Sequence, residues 1–585
     1  MSELGRTFMV PKATGTHGDI LAAVGLADLL RNIPRMRPVR VKEVATGFLV
    51  EVPRSITPDD IQQLPHSPGY AFLKASERVR VPPGVQSVFD YKVQKDRVDR
   101  YRQLATLTRG KVIDAETKAR LQELQPPADW RLWQALNILQ GDETSNRVHC
   151  AILGMPAAQF HEELLVELSL LGRPHTPAVS WKASTVQLFT PNAAKGYSRL
   201  KPDTTDRNDK TKDQWTDPFL EWLRYRGYFV AALPYFQGSK GEDIRLLCPV
   251  PSDVSIDALH AITTELRAGR IFGRSPKLDS LAALELASLL ISKSGDFGDE
   301  GAEPIEGLEL AGKTPAEIIS GIATTHYQSM GSSKAVAAMS VIALPGWFPI
   351  DSGQDARDWR NILEEHRGVL RGLQDDHSDE IGLLIAYRRF LEQRSEAAFQ
   401  RLVEFVEQYG SFLIRAREQG RHVRALTTTA FRRLTEGMAP HLTEILRNDG
   451  FQAIATAVRR ATVNAQAQKA MKVPDYREIR YDLLPDLRRT RTVPGSDFVE
   501  IVSDFIAKYN VENARRRELN KKFTPANVTT EQIMDFMSLV ETYGSSLVGA
   551  LLCAYGSCRE PRDSESTVLG DSESSEDSTT EEIEG

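Results

Sequence analysis

Apolar residues recur at helical spacing through most of the chain and alternate at strand spacing only in its first half. Gly15 and Gly18 mark a loop. After it Ile20, Ala23, Val24, Ala27 and Leu30 form the stripe of a helix that Asp19 can cap. Between Arg40 and Val50 the alternation around Gly47 predicts a β-hairpin. Short strands are expected at Gly69–Leu73 and Arg78–Val81, and Tyr91–Arg120 is charged and helix-compatible. Pro126 and Pro127 precede a helix whose Trp130 and Trp133, spaced i and i+3, suit packing. An amphipathic helix follows at 159–172, with His161 on its surface, and then a strand at Ser184–Phe189. Phe219–Tyr228 reads as a buried helix. Phe229–Pro234 and the apolar run after Ile244 read as the two strands of a second hairpin. Helices are expected at 281–293 and 314–330, the latter capped by Thr314, before the Pro-punctuated apolar segment Val341–Ile350.

From Asp355 the strand signal disappears. Helical patterns cover Arg357–Leu373, Glu380–Glu392, Glu396–Gln419, Thr428–Asn448, Phe451–Ala470, Ser496–Leu519 and Thr530–Tyr555. Thr529 or Thr530 caps the last of these, and its apolar residues Leu547, Val548, Leu551 and Leu552 predict the central packing element. The expected fold is therefore an α+β N-terminal domain (1–350), an all-α helical bundle (351–558) and an acidic disordered tail (559–585). That tail holds ten Asp and Glu against two Arg and too little apolar surface to fold alone.

Charge adds a feature that periodicity does not show. The chain of 585 residues carries a net charge of −6, yet between Arg401 and Lys522 there are 23 Lys and Arg against 15 Asp and Glu. Within that block Phe451–Arg491 starts as an amphipathic helix, breaks at Pro474, and carries Arg459, Arg460, Arg477, Arg480, Arg488, Arg489 and Arg491 with Tyr476 and Tyr481 among them. A local basic surplus of this kind suits a polyanion, above all nucleic acid; the same pattern also fits a solvated face paired to nearby carboxylates. In the first half, residues 191–217 are nearly devoid of aliphatics, and Asn192, Lys195, Gly196, Tyr197, Arg199 and Lys201 interleave cations and an aromatic around a glycine. The hairpin tip Gln237-Gly238-Ser239-Lys240 can meet phosphate or enter a groove, or serve simply as a turn.

Enzyme motifs are missing. There is no Walker glycine spacing, no Gly-x-Ser-x-Gly elbow and no HExxH. Cys150, Cys248, Cys553 and Cys558 are too scattered for a zinc site, and they fit a reducing, cytoplasmic setting. His17 and Asp19 are the one pair that tempts a metal or acid–base reading, against a turn and capping role. The N-terminus lacks a signal-peptide core, and no apolar run is long enough to span a bilayer. No cofactor, metal or membrane partner is expected.

Three stretches together resemble a known family. They are NAAKGYSRLKPD with FLEWLRYRGYF and LPYFQGSKGEDIRLLCPVP; REIRYDLLPDLRR with DFVEIVSDFIAKYNVENAR; and NVTTEQIMDFMSLVETYGSSLVGALLCAYGSCRE. They resemble the large subunit of a type I CRISPR surveillance complex (Cascade), of the I-B-like or Myxococcus type, over roughly residues 180–560. The resemblance implies a non-catalytic subunit. Its N-terminal domain would lie near the 5′ end of the guide RNA, recognise the protospacer-adjacent motif in double-stranded target DNA and help open it. Its helical bundle, similar to a small subunit, would line the DNA strands and stabilise the R-loop. Implied partners are the backbone, guide 5′-end-capping and small subunits and a separate helicase-nuclease. Relatives often make a small subunit by internal initiation, for which Met339 and Met438 are possible starts. On this reading the loops at Lys195–Lys201 and Gln237–Lys240 are motif and wedge loops, and the seven arginines hold backbone. A helical adaptor binding acidic proteins, or a nuclease centred on His17 and Asp19, are the competing classes.

Overall fold

The computed structural model describes residues 4–139, 141–184, 186–189, 191, 217–237, 243–269, 276–299, 301–330, 333–492, 495–519 and 525–561. It is a mixed α+β structure with strands toward the N-terminus and many helices toward the C-terminus. Two compact units emerge, and neither is contiguous. The first comprises Met1–Phe272, Ser292–Leu310 and Pro315–Leu344; the second comprises Gly273–Ile291, Ala311–Thr314 and Pro345–Gly585.

The first unit is built on β1 (Thr7–Pro11), α1 (His17–Leu30), β2 (Arg40–Val44) and β3 (Gly47–Glu51). Then come α2 (Pro58–Gln62), β4 (Phe72–Lys74), β5 (Val88–Asp90), α3 (Tyr91–Thr108), α4 (Ala115–Leu124), α5 (Trp130–Ile138), α6 (Asp142–Gly154) and α7 (Ala157–Leu170). After 191–217 the unit continues with α8 (Pro218–Ala231), β6 (Leu233–Gln237), β7 (Asp243–Pro251), β8 (Asp253–Ser255) and α9 (Ile256–Ala268). One antiparallel sheet runs β1-β3-β2-β8, with Val41 paired to Val50 in the predicted hairpin. β4 and β5 form a small parallel pair.

All fourteen residues of α1 are buried, and α8 packs along it. Paired charges line this contact, Arg226 across it and Arg224 within α8. Arg226 Nη2 lies 2.7 Å from Asp28 Oδ2, and Arg224 Nη1 lies 2.7 Å from Glu221 Oε1 and donates through Nε to the Gly18 carbonyl. Buried charges survive there because each has a partner.

The segment expected as a helix at 314–330 is different. Only Pro315–Ile318 is helical (α11). Ile319–Met330 is a twelve-residue strand (β9) paired antiparallel with β10 (Ser333–Ala343), and the second sheet runs β10-β9-β7-β6. Ile319, Ile322, Thr324 and Thr325 are β-branched, which favours the pleated conformation once β7 and β10 supply partners on both sides. Among the described residues of Ser184–Phe189 none is in a strand; Gln187–Phe189 is a turn, with Leu188 and Phe189 buried in the core. The strand expected at Arg78–Val81 is not formed, and β4 pairs instead with Val88–Asp90.

In the second unit every named element is helical among the described residues. Helix α10 (Lys277–Ser292), which the linear order of the chain puts in the first domain, clusters here. Its Asp279 pairs with Arg388, its Glu285 with Arg367, and Lys277 Nζ donates to the Leu373 carbonyl at 2.6 Å. The series continues with α12 (Gly353–Gly372), α13 (Ser378–Leu391), α14 (Ser395–Glu418), α15 (Thr428–Met438), α16 (Thr443–Arg447), α17 (Asp449–Ala461) and α18 (Val463–Ala470). It closes with α19 (Leu483–Thr490), α20 (Gly495–Glu518), α21 (Thr530–Tyr543) and α22 (Ser545–Ser557). Thr529 caps α21 in a reciprocal box with Gln532. The single helix expected over Thr530–Tyr555 divides at Gly544, whose φ of 83° turns the chain. The second piece, α22, packs against α14 and α17 and is buried from Leu551 to Ser557, in the central role its apolar sequence predicts.

Candidate nucleic-acid interface

The stretch 451–491 folds as two helices, a reversal and a third helix. Helix α17 buries Phe451, Ile454, Ala455 and Val458. It ends at Thr462, outside helical geometry, twelve residues before Pro474, so the first break is not the proline. The reversal after α18 uses two non-glycine residues in the left-handed region, Lys472 (φ 56°) and Asp475 (φ 61°), on either side of Pro474. Helix α19 then buries Leu483, Leu484 and Leu487.

The seven arginines divide sharply. Arg459 is 2% exposed; its Nη1 meets Glu560 Oε1 at 3.0 Å and its guanidinium lies over the Tyr555 ring. Arg477 is 5% exposed, 4.1 Å from the Tyr509 ring centroid, with Glu512 at 3.2 Å and Asn513 Oδ1 at 2.5 Å. Arg491 turns inward to Glu407 at 2.7 Å. Burial pushes the Glu407 carboxyl up to about 7, against the pull of Arg491 and Arg488. Arg459 and Arg477 are buried and Arg491 is half-buried, and all three bind the bundle together through a carboxylate. Their partners are Glu560, Glu512 and Glu407.

The other four are accessible. Arg488 and Arg489 are exposed on α19, and Arg460 and Arg480 are half-buried. Arg489 meets Asp486 at 3.2 Å and Arg480 meets Glu478 at 3.3 Å. Such exposed pairs contribute about 0–1 kcal/mol and are readily exchanged for another anion. Arg460 and Arg488 have no ion pair among the described residues. Tyr476 and Tyr481 are 43% and 44% exposed. Tyr481 donates to Glu418 Oε2 at 2.8 Å, where Lys469 also binds.

The structure adds residues that the basic stretch alone does not single out. Arg516 of α20 donates to the Asp475 carbonyl at 2.8 Å, which brings the basic end of α20, including exposed Arg515, beside the reversal. The run Arg515-Arg516-Arg517 is its visible signal. Among the loop residues, Asn192, Lys195, Gly196, Tyr197, Arg199 and Lys201 and the tip Gly238, Ser239 and Lys240 lie outside the described residues. Gln237 ends β6, paired with Asp243.

His17 and Asp19 hold structure together. The His17 ring contacts Thr325 Oγ1 at 3.0 Å and the Leu188 carbonyl at 2.6 Å, so Nε2 donates and Nδ1 accepts. Burial drops its pKa to about 4, and neither nitrogen is left for a metal. The helix cap is Thr16, whose side chain accepts from the Gly18 amide, and not Asp19. Asp19 instead accepts the Thr14 and Gly15 amides and the Thr14 hydroxyl. Among the described residues no group of three His, Cys, Asp or Glu is placed to hold a metal ion, and no helix is long and apolar enough to cross a membrane.

Neither a protein-family model nor a curated protein matches this chain.

Proposed function

We propose that this chain is the non-catalytic large subunit of an RNA-guided type I CRISPR effector complex. In this role it recognises the protospacer-adjacent motif, helps unwind target DNA, stabilises the R-loop and recruits a separate helicase-nuclease. The observation that carries the reading is the division of the 451–491 arginines. Arg459, Arg477 and Arg491 lock the segment to the bundle, and Arg460, Arg480, Arg488 and Arg489 remain accessible beside two exposed tyrosines. A rigidly held set of cations suits phosphate contacts, which give affinity without reading sequence. In such complexes the guide RNA reads the target and the protein reads only a short motif.

Purification after co-expression with neighbouring genes tests this. Bound short RNA of uniform length supports the reading. A complex of proteins without RNA favours an adaptor for acidic partners, and metal-dependent cleavage by the chain alone favours a nuclease.

A further inference from the structure

Helices α3 and α4 form an arm that belongs to no core. Of their residues only Val98 is buried. The root is firm: Tyr91 stacks on Trp130 at 5.1 Å, Phe89 stacks on Trp133 at 4.6 Å, and the Asp90 side chain caps the Val93 amide. Arg97 Nη2 donates to the Glu123 carbonyl at 2.6 Å and ties the two helices near that root. Beyond the tie α3 runs a further eleven residues, about 17 Å at the helical rise. It then turns through Gly110 (φ 73°). Val112 at the crest is fully exposed, so the crest packs on nothing described in the chain. Helices that are polar on all sides and this poorly buried contribute little to the core they spring from.

The charge of the arm is one-sided in sign. Between Tyr91 and Leu124 nine Lys and Arg stand against five Asp and Glu in a chain of net charge −6. Beyond the Arg97–Glu123 tie the carboxylates are Asp99, Asp114 and Glu116. Asp99 is taken by Lys95 at 2.5 Å and Arg102 at 3.9 Å, and Asp114 caps the Thr117 amide at 2.7 Å. Arg100, Arg109, Lys111, Lys118 and Arg120 are all exposed and have no ion pair among the described residues. Five exposed cations without an ion pair, against one carboxylate (Glu116) equally without one, on a firmly rooted arm suit contact with a nucleic-acid backbone.

We infer that the α3–α4 arm is a second nucleic-acid contact, gripping the phosphates of duplex DNA without reading bases. It shares with the proposed function only the class of ligand. RNA co-purification tests that function, and duplex binding tests the arm. The test uses the full chain with Arg109, Lys111, Lys118 and Arg120 each changed to Ala. The probe is a labelled mixed-sequence duplex of about 30 base pairs, titrated across a salt series. The expected result is an affinity weaker by well over tenfold at low salt and a salt dependence shallower by about 3–4 units of slope, at unchanged helical circular dichroism and melting temperature. Three results would overturn the inference: the same affinity and slope as wild type, no duplex binding by the wild-type chain, or loss of a protein subunit from the purified complex with duplex binding intact. Arg109→Lys with Arg120→Lys, which keeps the charge, is expected to leave the slope unchanged.

Discussion

Gly25 on α1 and Gly227 on α8 touch backbone to backbone, and neither position has room for a side chain. A methyl on Gly25 would sit 1.8 Å from the Leu223 carbonyl oxygen, and one on Gly227 would sit 1.9 Å from that of Leu21. Gly227→Ala is therefore expected to destabilise the first unit by about 1–3 kcal/mol or more, since rigid backbone must move. Thermal unfolding measures this. Gly154→Ala, where nothing lies within 4 Å, is the control and should be neutral or mildly stabilising.

The exposed and buried arginines of 451–491 should separate in experiment. Changing Arg460, Arg480, Arg488 and Arg489 together to Ala should leave the melting temperature nearly unchanged. The same change should weaken nucleic-acid binding for every sequence. It should also flatten the salt dependence, by about one slope unit for each phosphate no longer held. Equal affinity across a salt series would remove the 451–491 surface from the interface.

Arg477→Ala should do the reverse. It strands Asn513 Oδ1, at a cost of about 1–3 kcal/mol, and strips the Tyr509 ring of its cation. Urea denaturation should show the loss at any salt concentration, because a buried pair is poorly screened.

His366 provides a pH dependence. It is fully buried against Trp347 and Phe390, its Nδ1 shares a hydrogen bond with Tyr387 Oη at 2.7 Å, and burial drops its pKa to about 3. The unfolded chain therefore binds a proton below its ordinary value of 6.5 that the folded chain refuses until about 3. Stability is full above 6.5 and should fall by about 1.4 kcal/mol per pH unit as pH drops through that window. His366→Phe should lose some stability at pH 7, where Tyr387 lacks its hydrogen-bond partner, yet decline less steeply between about pH 6.5 and 4.5. Parallel curves for the two proteins would show that the ring is not the titrating group.

A product begun at Met339 would start inside β10 and lack α10, so Arg388 would lose Asp279 and Arg367 would lose Glu285. Such a fragment is expected to melt at a lower temperature than the same fragment supplied with a peptide spanning 273–292. Mass spectrometry of the purified complex shows whether cells make it.

What the sequence discloses depends on how local the determining contact is. The hairpin around Gly47, the buried helix after Thr16 and the helical series after Asp355 announce themselves through period, turn residues and caps. β9 does not: Pro315 after Thr314 is a good helix start, which masks the Gly331-Ser332 hairpin signal ahead of β10, and the strand's other partner is β7, some seventy residues back. The arginines show the same limit. A basic stretch is visible in the chain, but Arg459 finds its carboxylate 101 residues away and Arg477 finds Glu512 beyond another helix. Inward and outward cations are therefore indistinguishable until the fold is known. Arg460, adjacent to Arg459, differs from it only in the face of α17 it occupies.

The interleaving of the two units bears on how the chain is made. Helix α10 leaves the ribosome before β9 and β10, so a piece of the second unit exists while the second sheet still lacks two of its four strands. The bundle helices that bind Asp279 and Glu285 come later still. During synthesis the apolar residues of α10, from Leu278 to Ile291, must wait without their eventual neighbours. The first unit cannot close until chain beyond that helix has emerged, so completion of the two units is ordered in time by translation and not by domain.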